Sequence, residues 1–232
     1  MKPKDFFNLF AAGRGLYKAP AIIAVSLSFW IFLFLLSKLG ERIAPSLQTT
    51  FANIAWTVFA GLVSLVAASY FFAGLIGMSK GKVKFGEFGK HANKFWFGNF
   101  QVILLIILAS AIVRLAAHFG ALFIGRALGL EVDAALFVFM IIYLAGLVGV
   151  LIFLTFSSFF LVVEDLKVRE SIRKSIKFVR KNYWETLVLS FALFVLGFLV
   201  GRIPGFAGEV LEYALVVPFV VLVLTRFVLL RK

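Results

Sequence analysis

Six long apolar stretches alternate with short charged connections along the chain, and every second connection is strongly basic. The alternation is sharpest at residues 162–187. There an apolar run ends at Val163, a short basic stretch follows, and the next apolar run begins near Trp184. A helix of about 20 apolar residues matches the thickness of a bilayer's hydrocarbon core. Runs of that kind cover residues 19–39, 51–78, 95 to beyond 111, 134–163, 184–200 and 213–230. Apolar residues make up 62% of the chain and charged residues 15%, against about 45–50% and about 25% in an ordinary soluble domain. One globular core cannot bury that excess, so lipid is its natural solvent. The expected fold is all-α: an integral membrane bundle of six spans in three hairpins, forming a single domain over residues 1–232.

The charge distribution orients such a bundle. Of the 24 Lys and Arg residues, nineteen fall at the N-terminus, in the second and fourth connections and at the C-terminal end, while Lys38, Arg42, Arg114, Arg126 and Arg202 fall on the other side. The acidic residues split almost evenly. Lys and Arg concentrate on the cytoplasmic side of membrane proteins, so the chain is expected in the cell membrane as a multi-pass protein with both termini cytoplasmic. The net charge of +13 then points to anionic lipid headgroups. Nucleic acid is not expected as a partner, because the basic segments are short connections without the fold of a binding module. Residues 1–18 do not read as a signal peptide, since a full-length apolar run follows with no small-residue cleavage site behind it.

Three basic segments, residues 4–18, 82–94 and 167–181, each precede an apolar hairpin and end on aromatic residues: Tyr17, then Phe95 and Trp96, then Tyr183 and Trp184. Each is expected to form a short amphipathic helix on the membrane surface. The resulting units span about 1–80, 81–166 and 167–232. In the third segment Val168, Ile172, Ile176 and Val179 form the apolar stripe, and Asp165 is placed to cap the helix N-terminus. Pro218 is expected to kink the last span. Gly61, Gly74, Gly77, Gly146, Gly149, Gly197 and Gly201 are expected where helices pack closely.

The stretch Val162-Val163-Glu164-Asp165, then Arg169-Glu170-Ser171-Ile172-Arg173-Lys174-Ser175, then Val179-Arg180-Lys181-Asn182-Tyr183-Trp184 resembles a known pattern, V-E-D followed by R-x-S and V-R-x-N-W. It belongs to an uncharacterised polytopic membrane family related to the membrane domain of glycerophosphodiester phosphodiesterases. Ser171 stands where that family usually has Ala. The resemblance is sharp over about 25 residues and loose over the six-span layout. It implies fold and location. It implies no catalysis, because the phosphodiesterase barrel has no counterpart here.

The residues themselves offer little chemistry. No acidic residue lies within the apolar body of a span, and neither a metalloprotease H-E-x-x-H nor a G-x-S-x-G motif occurs. Ser157 and Ser158 have no base beside them, His91 and His118 fall on opposite sides, and cysteine is absent. No enzyme, metal or cofactor is therefore expected. Arg114 and His118, at i and i+4, share one helix face. They read either as an anion or lipid-phosphate site near the outer leaflet, with Arg126 or Arg202, or as a snorkelling arginine beside a headgroup-level histidine. Glu131, Asp133, Glu209 and Glu212 lie on the same side and can pair with these arginines. On the other side Arg169, Arg173, Lys174, Lys177, Arg180 and Lys181 form a basic face for anionic lipid or a protein partner. The leading expectation is a non-enzymatic membrane protein that binds through this face. A small transporter or channel for an anionic or amphipathic solute is the alternative, and an intramembrane enzyme the third reading. Oligomeric state is not legible.

Overall fold

The structure, a computed structural model, describes residues 20–43, 49–80 and 85–231. Its elements in chain order are α1 (Pro20–Ile43), α2 (Thr50–Lys80), α3 (Phe85–Leu128), α4 (Val132–Val163), α5 (Val168–Lys181), α6 (Tyr183–Gly201), α7 (Phe206–Leu211), a π-helical turn (Glu212–Val216) and α8 (Val217–Leu230). No strand occurs among the described residues. Six helices are long and apolar enough to cross a membrane: α1, α2, α3, α4, α6 and the composite Phe206–Leu230. The expected N-terminal surface helix, with Phe6, Phe10 and Tyr17, and the basic residues Lys82 and Lys84 lie outside the described residues.

Helix boundaries depart from those of the apolar runs in three places. Residues 85–94, expected as a separate surface helix, are the opening turns of α3 and run into the span without a break. No proline interrupts that stretch, and a charged residue ends apolarity without ending a helix. Residues 119–128 likewise continue α3, which reaches 44 residues, or about 66 Å at the α-helical rise. Gly129 then adopts φ +61°, and Leu130 N–H donates to the Gly125 carbonyl at 2.9 Å. This is the left-handed helix stop that glycine permits. The last loop is also shorter than expected, because α7 begins at Phe206. The bend expected at Pro218 takes the form of the π turn just before it. Pro218 has no N–H, and its ring crowds the carbonyl four residues back, so the backbone widens there.

Most of the buried residues gather at one end of the molecule. They are the first turns of α1 (Ala21 to Trp30), the last of α2 (Ser69 to Ser79), the first of α3 (Ala92 to Val102), the last of α4 (Ile152 to Val163), the first of α6 (Thr186 to Leu193) and the body of α8, while Ala117, Ala121 and Gly125 of α3 are buried further along. Of these, α3, α4 and α6 pack directly against α5. Gly146 sets a close approach between α3 and α4 further along, where an added Cβ would stand 2.5 Å from Val113 Cγ1. Three glycines set the close approaches at the densely packed end. A Cβ on Gly74 would overlap the Phe88 ring, one on Gly77 would overlap His91, and one on Gly98 would stand 2.9 Å from Leu161 Cδ1. The Phe178 ring of α5 completes the plug, 5.3 Å from Phe156, 5.2 Å from Phe160 and 5.4 Å from Phe227.

Toward the other end the helices expose large apolar side chains, among them Leu35, Phe59, Leu108, Phe123, Phe137 and Phe194. So extensive an apolar surface is untenable in water and ordinary against acyl chains. Four of the seven glycines expected to pack, Gly61, Gly149, Gly197 and Gly201, have nothing within 4 Å of an added Cβ. The Gly197/Gly201 spacing therefore serves no helix contact among the described residues.

Candidate functional site

The densely packed end presents the basic face. All six cations singled out on α5 and its margin, Arg169, Arg173, Lys174, Lys177, Arg180 and Lys181, are exposed. Lys174 is tied down by an ion pair with Glu164 and lies 5.5 Å over the Phe160 ring. The other five make no ion pair among the described residues.

The buried side of α5 differs from the expected stripe. Val179 is buried, but Val168, Ile172 and Ile176 only flank the contact, which is centred on Ser171, Ser175 and Phe178. The serines are small enough to bring α5 against α4, and their hydroxyls find acceptors. Ser175 Oγ donates to the Phe153 carbonyl at 2.6 Å and Ser171 Oγ to the Val168 carbonyl at 2.7 Å. A stripe of β-branched residues was the obvious reading of the sequence. Buried polar residues that satisfy themselves on backbone carbonyls leave no periodic signal.

Asp165 is not the cap of α5. It follows α4 with φ +58°, the one positive-φ residue other than glycine among those described, and Leu166 N–H donates to the Leu161 carbonyl at 3.2 Å. It is thus the left-handed residue that stops α4, the role Gly129 plays after α3. The N-cap position of α5 belongs to Lys167, whose side chain makes no capping bond. The Asp165 carboxylate is instead paired with Lys94 of α3.

This pair stands at the mouth of a cleft of about 660 Å³ between α3, α4 and α5, lined by Lys94, Gln101, Asp165, Lys167 and Arg169 around Phe95, Gly98, Leu161, Leu166 and Val168. Lys94, Gly98 and Gln101 recur at i, i+4 and i+7, so one face of α3 supplies this wall. That spacing was the only sequence signal for it. With three cations against one carboxylate above an apolar floor, the cleft suits a ligand with an anionic head and an apolar body.

At the opposite end Arg114 and His118 differ in their surroundings. Arg114 and His118 are both exposed on α3, but only His118 lines a cleft, together with Arg126. The imidazole sits edge-on to Phe119 and Phe139, with centroids 5.8 and 6.4 Å away. Arg202 lies elsewhere, 4.6 Å over the Phe198 ring. Among the described residues none of Glu131, Asp133, Glu209 and Glu212 pairs with an arginine. Glu209 instead accepts from Trp30 Nε1 at 3.3 Å. No group of three metal-ligating side chains occurs among the described residues. His91 and His118 lie far apart along α3, by about 40 Å of helical rise. No family model, curated protein or solved structure matches the chain.

Proposed function

We propose that this is a non-catalytic, multi-pass cell-membrane protein that binds anionic lipid through the basic face around α5, with both termini in the cytoplasm. One observation carries the reading. The end where most of the buried residues gather is the end that holds these cations, and five of the six on α5 make no ion pair among the described residues. Cations near an anionic surface contribute about 1 kcal/mol each. A helix fixed by Phe178 and Ser175 presents them together rather than on a loose tether. In this reading α5 is a surface helix, with exposed Tyr183 and Trp184 at headgroup level, and it opens the third of three hairpin units. The resemblance of residues 162–184 to the phosphodiesterase-associated membrane family agrees with such a location and supplies no chemistry.

The test reconstitutes the protein in nanodiscs of mixed phosphatidylglycerol and phosphatidylcholine and counts the lipids retained by native mass spectrometry. The wild type is run beside Arg173→Glu/Lys177→Glu/Arg180→Glu. Enrichment of phosphatidylglycerol that disappears in the triple variant and weakens with salt is the expected result. Equal enrichment in both proteins sinks the proposal. Orientation is checked separately in the Cys-free chain: Lys177→Cys should label from the cytoplasmic side, and Ser46→Cys only from the other.

A further inference from the structure

The α3–α4 hairpin is longer than its neighbours. Asn99 Nδ2 of α3 donates to the Ser69 carbonyl of α2 at 3.0 Å, which fixes the register of these two helices. Thr50, where α2 begins, lies as far above Ser69 as His118 lies above Asn99. The last turns of α3, from His118 to Leu128, therefore rise past the end of α2, by about 15 Å at the helical rise. Val132 and the first turns of α4 rise beside them, with an added Cβ on Gly125 only 3.3 Å from Ala135 Cβ and one on Gly120 3.7 Å from Ile142 Cδ1.

This projecting tip holds a cleft of about 590 Å³, within the range of about 300–1,000 Å³ typical of small-ligand pockets. Its walls are mostly apolar, including Leu122, Leu136 and Phe139, and its polar side chains are His118 and Arg126. Arg126 is exposed and makes no ion pair among the described residues. The nearby acids Glu131 and Asp133 do not line the cleft. A guanidinium without a counter-ion beside an apolar trough calls for an anionic head joined to an apolar chain. The volume suits one chain rather than the two of a bilayer phospholipid, and the position beyond the end of α2 keeps the trough from being merely a lipid-facing groove of the bundle.

We propose that the tip of the α3–α4 hairpin binds a single-chain amphiphile with an anionic head, the head on Arg126 and His118 and the chain along Leu122, Leu136 and Phe139. This site is independent of the basic face around α5. Carboxylate and phosphate heads share the chemistry, and the experiment separates them. Purified full-length protein is titrated with oleate, with oleoyl lysophosphatidate and, as the neutral control, with monoolein. Binding is read by native mass spectrometry for the wild type, Arg126→Gln, Leu122→Trp and Arg202→Gln.

Arg126→Gln should weaken the preferred anionic ligand about tenfold or more, the scale of a lost charge-assisted hydrogen bond. Leu122→Trp should weaken it by filling the trough, and Arg202→Gln should leave it unchanged. Whichever of oleate and lysophosphatidate binds more tightly identifies the head. Monoolein binding as tightly as both anions, or anion binding indifferent to Arg126→Gln, overturns the proposal. Circular dichroism of each variant shows that the helices are intact.

Discussion

Replacing Gly77 by alanine puts a methyl group where the His91 side chain already stands. Gly77 is buried in the last turns of α2, and its added Cβ would overlap His91 Cβ and Cγ and lie 2.8 Å from Nδ1. Moving the imidazole alone cannot relieve this, because His91 Cβ is fixed to the α3 backbone. The ring is also held by a 2.9 Å contact between Nδ1 and the Glu87 carbonyl and by stacking on Phe95, centroids 6.1 Å apart. α2 and α3 must therefore separate by about 1 Å, which in a packed seam costs about 1–3 kcal/mol.

Alanine also favours the helix over glycine by about 1 kcal/mol, so a reference substitution must carry the same gain without the clash. Gly149→Ala in α4 does so, since nothing lies within 4 Å of its added Cβ. The difference between the two variants then isolates the steric term. Unfolding midpoints in mixed micelles titrated with dodecyl sulfate, followed by far-ultraviolet circular dichroism, give both. Gly77→Ala should be the less stable by about 1–3 kcal/mol. Equal stabilities would show that α2 and α3 do not meet through this glycine and would refute the seam.

Three further substitutions probe the basic end. At Asp165, with φ +58°, alanine should be less stable than glycine by about 1 kcal/mol, the cost of a left-handed backbone for a residue with a Cβ; equal unfolding midpoints count against the helix stop. Both variants lose the pair with Lys94, which is half-exposed and worth no more than about 1 kcal/mol. Phe178→Ala empties the centre of the four-phenylalanine cluster. It should cost about 3–5 kcal/mol and speed tryptic cleavage within α5; unchanged cleavage would mean that the ring does not anchor this helix. Ser175→Ala removes the bond to the Phe153 carbonyl and should lower stability by about 1 kcal/mol, whereas Ser28→Ala, an exposed serine bonded within its own helix, should change it less.

The long apolar runs were legible because bilayer thickness demands them, and the described residues of each lie within one of the six helices that fit it. What the runs could not mark is where a helix stops. Lys90, Lys94, Arg114 and His118 end apolarity, yet α3 passes through all of them, because none removes a backbone hydrogen bond. The true stops are Gly129 and Asp165, set by backbone sign. The sequence shows an aspartate between two helices without showing which of them it serves. Arg114 and His118 lie at i and i+4 on α3 and so share one helix face. Which arginine shares a cleft with His118 depends on where α4 returns, and Phe139 and Leu136 of α4 close the trough beside Arg126 instead. Lys94 escaped notice for a similar reason: its partner, Asp165, lies across a helix-to-helix contact.

The uneven packing follows from the solvent. In water a helix bundle must close along its whole length, because every gap exposes apolar surface. In a bilayer the acyl chains are as apolar as leucine, so a span gains little from leaving lipid for another span. Helices then converge where specific contacts reward it, and here most of those contacts gather at one end. Gly74 and Gly77 admit Phe88 and His91, Gly98 admits Leu161, Ser175 reaches the Phe153 carbonyl, and Phe178 fills the centre. These features lie at the level of the basic connections. The exposed leucines and phenylalanines of the other half need no such fixing. The contrast makes the basic end the specified part of the fold. The projecting α3–α4 tip packs through Gly125 and Ala135, and Arg126, which makes no ion pair among the described residues, lines an apolar trough there.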